Sequence, residues 1–409
     1  MANATTARKI TTQSAENFGF RDKLAYGLGD FGCNMSFALK GTLTLFWTQF
    51  MGINSYVMAS LLLLVQIWDA FYTVANVPYG SMLSLISADP VHRAQLSSFR
   101  SAGSIAGSVS TNILLPILIY DASNNLRGER IWIIALGMGL IGLACFHFMV
   151  NNTKIRVNTT ITLKEDAPKF NVFRAAGHFM RNRAAVGATL APVGNFIGMY
   201  GATVASQIMF QSYFKNAQIS GLISQIAYIG TFLYMPFIAK IVKRFGKKEA
   251  ITAGALLSCL AYILMLVLPI TPDGKGIAMF VVCQLLNALG NGIGNCLSWS
   301  LMADAMDYEE WKFGTRNEGT TYALHSFFRK LAQGLGPSLG LVAATMLGYN
   351  ASLQAAQTPE VALNMRYLVA AMYLLGAVVQ LIAYGLVFNL NKKTMAQIES
   401  DLAARKNAQ

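Results

Sequence analysis

The segment from Asn54 to Ser87, NSYVMASLLLLVQIWDAFYTVANVPYGSMLSLIS, holds 34 residues and a single formal charge, Asp69. A helix needs about 20 apolar residues to cross roughly 30 Å of hydrocarbon, so this segment is long enough to span a bilayer. It is too long for one crossing and too short for two. Counting about 1.5 Å per residue from Asn54, Asp69 falls a little past the midplane. An acid at that depth is costly, and such residues usually face a bundle interior, an ion or a solute. The segment therefore points to a membrane protein of the transporter kind.

The rest of the chain agrees. Hydrophobic residues make up 54% and charged residues 12%, against about 25% charged in soluble domains. Ten apolar runs read as spans: Leu24–Phe50, Tyr56–Ile86, Ala102–Tyr120, Ile131–Val150, Ala184–Phe210, Ile219–Ile241, Ala250–Pro269, Ile277–Met302, Thr320–Leu347 and Tyr367–Leu390. The expected fold is an all-α polytopic bundle.

The net charge of +13 raises the question of nucleic acid. The basic residues, however, sit in alternate short connections: Arg8 to Lys23, His92 to Arg100, Lys154 to Arg183, Lys240 to Lys248, and beyond Lys392. The intervening connections are nearly neutral. That alternation is the positive-inside signal, so both termini are expected in the cytoplasm and nucleic acid is set aside. The expected organisation is a polar tail over residues 1–23, four spans over 24–150, a basic central loop over 151–183, six spans over 184–390 and a second tail over 391–409.

Several patterns take a plain reading. Two GxGxxG matches, Gly27-Gly29-Gly32 and Gly137-Gly139-Gly142, lie in apolar helices and not after a strand, so close helix packing is expected rather than a dinucleotide site. Gly103, Gly107, Gly336 and Gly340 are read the same way. The five cysteines are scattered without metal-like spacing. No nucleophile–base constellation stands out, so neither an enzyme nor a metal centre is expected.

Lys40 and Asp69 come within roughly 6 Å of each other in membrane depth. They read as a charge pair that opens to a proton or cation, or as a structural salt bridge. Arg100 opens the third span, where it serves either as an anchor or as a ligand. Lys330, with His325 and Arg329, lies about ten residues into the ninth span, too deep for easy snorkelling. A cation there suits sugar hydroxyls or a carboxylate. The stretch Asp304–Glu318, DAMDYEEWKFGTRNE, reads as a connection between two spans, with Lys312 and Arg316 offsetting its acids. Asp304, Asp307 and Arg316 are expected to form a gate.

These residues resemble the glycoside–pentoside–hexuronide:cation symporters of the major facilitator superfamily. The resemblance is carried by KLAYGLGDFG at Lys23–Gly32, IWDA at Ile67–Ala70, NVPYGSM at Asn76–Met82, RFGKK at Arg244–Lys248, ADAMDYEEWKFGTRNEG at Ala303–Gly319 and FFRKLAQGLG ending at Gly336. It covers nearly the whole chain, and the C-terminal half looks most like the glucuronide and pentoside carriers.

The resemblance implies twelve helices and alternating access around a sugar site near the midplane. Here IWDA runs directly into FYTVANVPYG, as if the inner half of helix two, all of helix three and the outer half of helix four were absent. That reading accounts for ten spans and for the over-long run. By resemblance, Asp69 matches the first cation-site acid, Thr73 stands where a second acid is expected, and Asn34 replaces a third. Tyr72, Asn76, Arg100, His325 and Lys330 match sugar-site positions, with Trp299 as an aromatic platform.

The implied function is cation-coupled sugar uptake by a monomer in the inner membrane of a bacterium. The coupling ion, H+ or Na+, is the only cofactor expected. With two of three acids replaced, a proton suits the site better than sodium. Two other functions fit the same residues: a sugar-binding membrane sensor that does not transport, and a lipid-handling carrier of the same superfamily.

Overall fold

The computed structural model describes residues 18–64, 79, 82, 86, 90–156, 172–314 and 318–407. Among the described residues the regular structure is helical: α1 (Phe20–Leu45), α2 (Ser55–Leu64), α3 (Pro90–Ile119), α4 (Gly128–Asn152), α5 (Val172–Arg181), α6 (Arg183–Ser212), α7 (Ser220–Ser224), α8 (Ile229–Tyr234), α9 (Ile238–Phe245), α10 (Lys247–Val267), α11 (Gly274–Phe313), α12 (Glu318–Met346), α13 (Pro359–Ile382) and α14 (Lys392–Asn407). Five of the described helices carry segments long and apolar enough to cross a bilayer.

The chain divides into two compact units. Unit 1 holds residues 1–43, 67–119 and 127–169; unit 2 holds 44–66, 120–126 and 170–409. The break after residue 169 falls in the expected central loop. Two short segments from the first half of the sequence, 44–66 and 120–126, belong with the second unit.

In unit 1, glycines let α1 and α3 approach closely. A Cβ on Gly103 would lie 1.9 Å from the Gly27 carbonyl oxygen, and one on Gly107 would lie 2.7 Å from that of Phe31. Small residues at such crossings replace the hydrophobic driving force that lipid removes. The second GxGxxG match departs from the packing expectation, because Gly137 and Gly139 have nothing within 4 Å and only Gly142 meets Gly32. These two glycines lie on α4, whose outer face exposes Trp132, Ile133, Leu136, Leu140 and Leu143. An apolar face of that size belongs against lipid. At one end of the unit, the Arg156 guanidinium forks onto both carboxylate oxygens of Asp22 at 3.0 Å each, tying α1 to the chain just after α4.

In unit 2, α6 is the central helix. It packs on α12 through Gly201 and Gly340 and on α13 through Gly198 and Gly376. α2 joins through the Ser338 hydroxyl, which donates to the Ala59 carbonyl at 2.8 Å. Polar caps set the helix starts: Asn182 accepts from Ala185 N–H, Asp273 from Gly276 N–H, and Thr358 from Val361 N–H with Pro359 at the first helical position. A buried amide group closes one end. Gln49 donates to Gln211 and to the Tyr349 hydroxyl, each at 2.8 Å, and Gln211 donates to the Asn124 carbonyl at 3.0 Å.

One expected span is broken into shorter helices, and elsewhere helices run beyond the spans they carry. The sixth span is not one helix: residues 217–245 form α7, α8 and α9 with 3-10 turns between them. Pro236 lies in the break before α9, where it lacks an N–H for a helical bond. The eighth span has its apolar part at Gly274–Ser298, but α11 runs on through the expected connection to Phe313 and stops at Gly314, whose φ is +67°. No Gly or Pro interrupts 295–313, so the helix has no reason to stop sooner. The third span keeps its expected start, its apolar part covering Ala102–Ile119, while α3 itself begins at Pro90. The second tail is also largely helical: α14 buries Ile398 in a core with Leu301, Ala305 and Leu390.

Candidate functional site

Unit 2 contains a polar cavity of about 100 Å³ among four helices. α6 contributes Pro192, Asn195 and Phe196, and α11 contributes Gly294, Asn295 and Ser298. Arg329 enters from α12, Gln380 from α13, and Tyr384 from the π-turn Ala383–Val387 that follows α13. Arg329 lies eleven residues after Glu318, about 16 Å along the helix, which is close to half the thickness of a hydrocarbon core. Its guanidinium carbon stands 5.1 Å from the centre of the Phe196 ring, a cation–π distance.

Amides tie these helices to one another. Gln380 donates to Asn291 at 3.1 Å, and Asn291 donates to Asn195 at 3.3 Å. Asn295 donates to the Thr231 hydroxyl at 3.3 Å. The π-turn that carries Tyr384 is held from outside by Arg183, which donates to the Val387 and Leu386 carbonyls at 3.0 and 2.6 Å. Those carbonyls end a helix and have no partner within it, so the arginine satisfies them. π-turns are often found at functional sites.

Unit 1 holds a second polar cluster. Arg100 lies ten residues into α3, two residues before the apolar span Ala102–Ile119, and its Nε is 3.4 Å from Asp30 Oδ1 on α1. The guanidinium also sits 4.8 Å from the centre of the Tyr79 ring, and Tyr79 packs on Tyr26 with centroids 4.7 Å apart. One turn beyond Asp30, Asn34 donates to the Asp30 carbonyl and to Ser104, and accepts from Ser108.

The sequence-derived site residues distribute as follows. Asp69, Tyr72, Thr73, Asn76 and Arg316 lie outside the described residues, as do the side chains of Lys40 and Trp299. Asn34 and Arg100 come together in the unit 1 cluster. His325 is fully buried, with Nδ1 at 2.9 Å from the Thr189 hydroxyl. Lys330 is half-buried and does not line the cavity; the neighbouring Arg329 does. Asp304 pairs with Lys247 at the start of α10, at 2.6 and 2.8 Å, and Lys312 donates to the Tyr308 hydroxyl at 2.8 Å. Asp307, half-buried, follows one turn later on α11.

Sequence reasoning passed over Asp30, the cavity amides and Arg329 as the cavity cation. Asp30 was hidden inside a glycine-rich motif read as packing, although Asp30 and Asn34 share one helix face at a spacing of four. Asn195, Asn291 and Asn295 are amides within apolar runs, a sign that the bundle interior is polar there.

Lipid-facing apolar helices around a polar cavity at bilayer depth define a multi-pass membrane carrier. The chain belongs to the MFS/sugar transport protein family, whose model matches residues 38–392. It is thus a membrane transporter and not an enzyme. It is similar to the uncharacterized symporter YjmB of Bacillus subtilis, at 27% identity over 82% of this chain and 71% of the relative. It is also similar to the glucuronide carrier protein homolog of Escherichia coli, at 24% identity over 96% of this chain and 98% of the relative. The fold is that of a bacterial homologue of the human lysosomal transporter Spinster, solved inward-facing and unoccupied. That likeness has a TM-score of 0.57 and 16% identity, covering 92% of this chain and 97% of that one.

Proposed function

We propose that this protein imports a sugar, as a glycoside, pentoside or hexuronide, by symport with a cation. The observation that carries this reading is the unit 2 cavity, where amides, hydroxyls and a guanidinium meet at bilayer depth in a chain of the sugar transport family. Amides offer donors and acceptors together, which suits the hydroxyls of a sugar. The absence of a nucleotide-binding motif fits coupling to an ion gradient rather than to ATP.

The coupling acid in this reading is Asp69, and Asn34, Thr73 and Lys40 are the other proposed coupling residues. A proton suits a site with so little negative charge better than sodium does. Tyr72, Asn76, Arg100, Trp299, His325 and Lys330 are the proposed substrate contacts. Asp304, Asp307 and Arg316 are proposed as a gate that responds to rocking of the bundle halves. The alternation of basic connections supports cytoplasmic termini, and the scheme puts the protein in the inner membrane of a bacterium. A monomer suffices for this scheme.

One observation favours a second reading. The alignment with the glucuronide carrier homolog covers both proteins almost end to end, yet runs to 474 residues against 409 in this chain. The excess falls inside this chain, which supports a shortened bundle. A protein so shortened would bind sugar without accumulating it.

Reconstituted vesicles separate the two readings. With the wild-type protein, a proton gradient should drive accumulation of a labelled glycoside. Asp69→Asn should abolish that accumulation and keep exchange of internal for external sugar. Accumulation undiminished by Asp69→Asn would remove this acid from coupling; binding with neither accumulation nor exchange in the wild type would establish the second reading.

A further inference from the structure

We infer that the basic face of α9 is a binding site for an anionic phospholipid, whose phosphodiester is held by Lys240, Lys243 and Arg244 at the membrane surface. This face is separate from the unit 2 cavity, and it takes lipid whatever solute is carried.

The sequence of α9, IAKIVKRF, divides into two faces. At 100° per residue, Ile238, Ile241, Val242 and Phe245 fall within about 100° of one another, and Lys240, Lys243 and Arg244 fall within about 100° on the opposite side. Ile238 and Val242 pack on the core that holds Leu301, Ala305 and Ile398. The apolar face is thereby turned into the protein, and all three cations are exposed. None of the eight residues of α9 is acidic.

The helix stands at the edge of the hydrocarbon. Gly246 alone separates it from α10, whose apolar span is Lys247–Val267. Phe245 is 54% exposed, and Phe237 just before α9 is 50% exposed. Exposed rings beside cations suit the boundary where acyl chains meet headgroups. A soluble polyanion would gain nothing from those rings, whereas a lipid uses both. The Arg244 guanidinium carbon is 5.2 Å from the centre of the Phe245 ring, a cation–π distance. Its fork of N–H donors fits two oxygens of a phosphate.

α14 brings a fourth cation to the same place. Lys392 Nζ donates to the Lys243 and Arg244 carbonyls at 2.8 and 3.2 Å. Those carbonyls end α9, so the ammonium offsets the negative end of the helix and makes the surface more attractive to an anion. Of the acids at this end, Asp304 is paired with Lys247, and Glu249 accepts from the Lys392 backbone N–H at 3.4 Å. Clusters of Lys and Arg at the end of a membrane span attract anionic headgroups in this way.

The test is native mass spectrometry of the full-length protein, released from detergent that holds equal amounts of palmitoyl-oleoyl phosphatidylglycerol and palmitoyl-oleoyl phosphatidylcholine. The wild-type protein should retain phosphatidylglycerol at least about 10-fold over phosphatidylcholine. The triple variant Lys240→Gln, Lys243→Gln, Arg244→Gln should bring that enrichment down to about two-fold or less. Lys275→Gln is the control: it removes an exposed cation 29 residues before Asp304 on α11, about 43 Å along the helix, and should leave the enrichment unchanged. Equal retention of the two lipids by the wild-type protein overturns the inference, and so does an enrichment in the triple variant equal to that of the control. Where the triple variant does not fold, hydrogen exchange over residues 238–245 of the wild-type protein decides. Slower exchange in phosphatidylglycerol nanodiscs than in phosphatidylcholine nanodiscs supports the site, and equal exchange overturns it.

Discussion

Lys247 Nζ lies 2.6 and 2.8 Å from the two carboxylate oxygens of Asp304, so the start of α10 is pinned to the extension of α11. Asp304 is 6% exposed. Asp304→Asn removes the charge that offsets Lys247 and should cost about 1.5–3 kcal/mol, the range for a hydrogen bond to a charged group. The melting temperature of the purified protein in detergent should fall accordingly. A Lys247→Met, Asp304→Leu pair should recover part of the loss, since an apolar pair leaves no uncompensated charge. An unchanged melting temperature in Asp304→Asn would show that the pair contributes nothing.

Gly27 and Gly103 make the tightest contact between α1 and α3. Because a Cβ on Gly103 would overlap a backbone oxygen at 1.9 Å, Gly103→Ala forces the helices apart. Overpacking of this kind costs about 1–3 kcal/mol. Gly137→Ala on α4 adds a methyl where nothing lies within 4 Å, and a substitution of that kind stays within about 0.5 kcal/mol. Thermal unfolding of the two variants side by side checks the contrast, and equal melting temperatures would contradict the α1–α3 contact.

Asp30 and Arg100 face each other across the same two helices, Asp30 only 10% exposed at its side chain. Neutralising either partner removes the charged hydrogen bond between α1 and α3, at a cost of about 1.5–3 kcal/mol. Asp30→Asn and Arg100→Gln should each lower the yield of folded protein, as judged by size-exclusion chromatography. The double variant should restore part of that yield. Full additivity of the two losses would show that the residues act independently.

The bundle itself was legible in the sequence, because hydrocarbon thickness sets a run length that the third, fourth, seventh, eighth and tenth spans match. What escaped was local. Asp304 to Phe313 looked like a loop because it is charged, but charge ends a membrane crossing without ending a helix. The break in residues 217–245 depends on Pro236 and on the close approach of Gly230 to the Ala288 carbonyl, and only the first of these can be read from a sequence. In the site, Arg329 and Lys330 are adjacent in sequence but about 100° apart around α12. Choosing between them required the rotation of the helix. Asp30 and Arg100 are 70 positions apart, so their pairing could be found only once α1 and α3 were placed together.

The central claim is that this chain accumulates a sugar by coupling to a cation, and proteoliposome uptake tests it most directly. Labelled neutral, pentose-bearing and acidic glycosides should be offered with an inward proton gradient, an inward sodium gradient and neither. The account predicts that at least one glycoside accumulates above its external concentration with the proton gradient, and that accumulation collapses when a protonophore is added. Equilibration to the same level under all three conditions, or no entry of any glycoside while the protein still binds one, would contradict it.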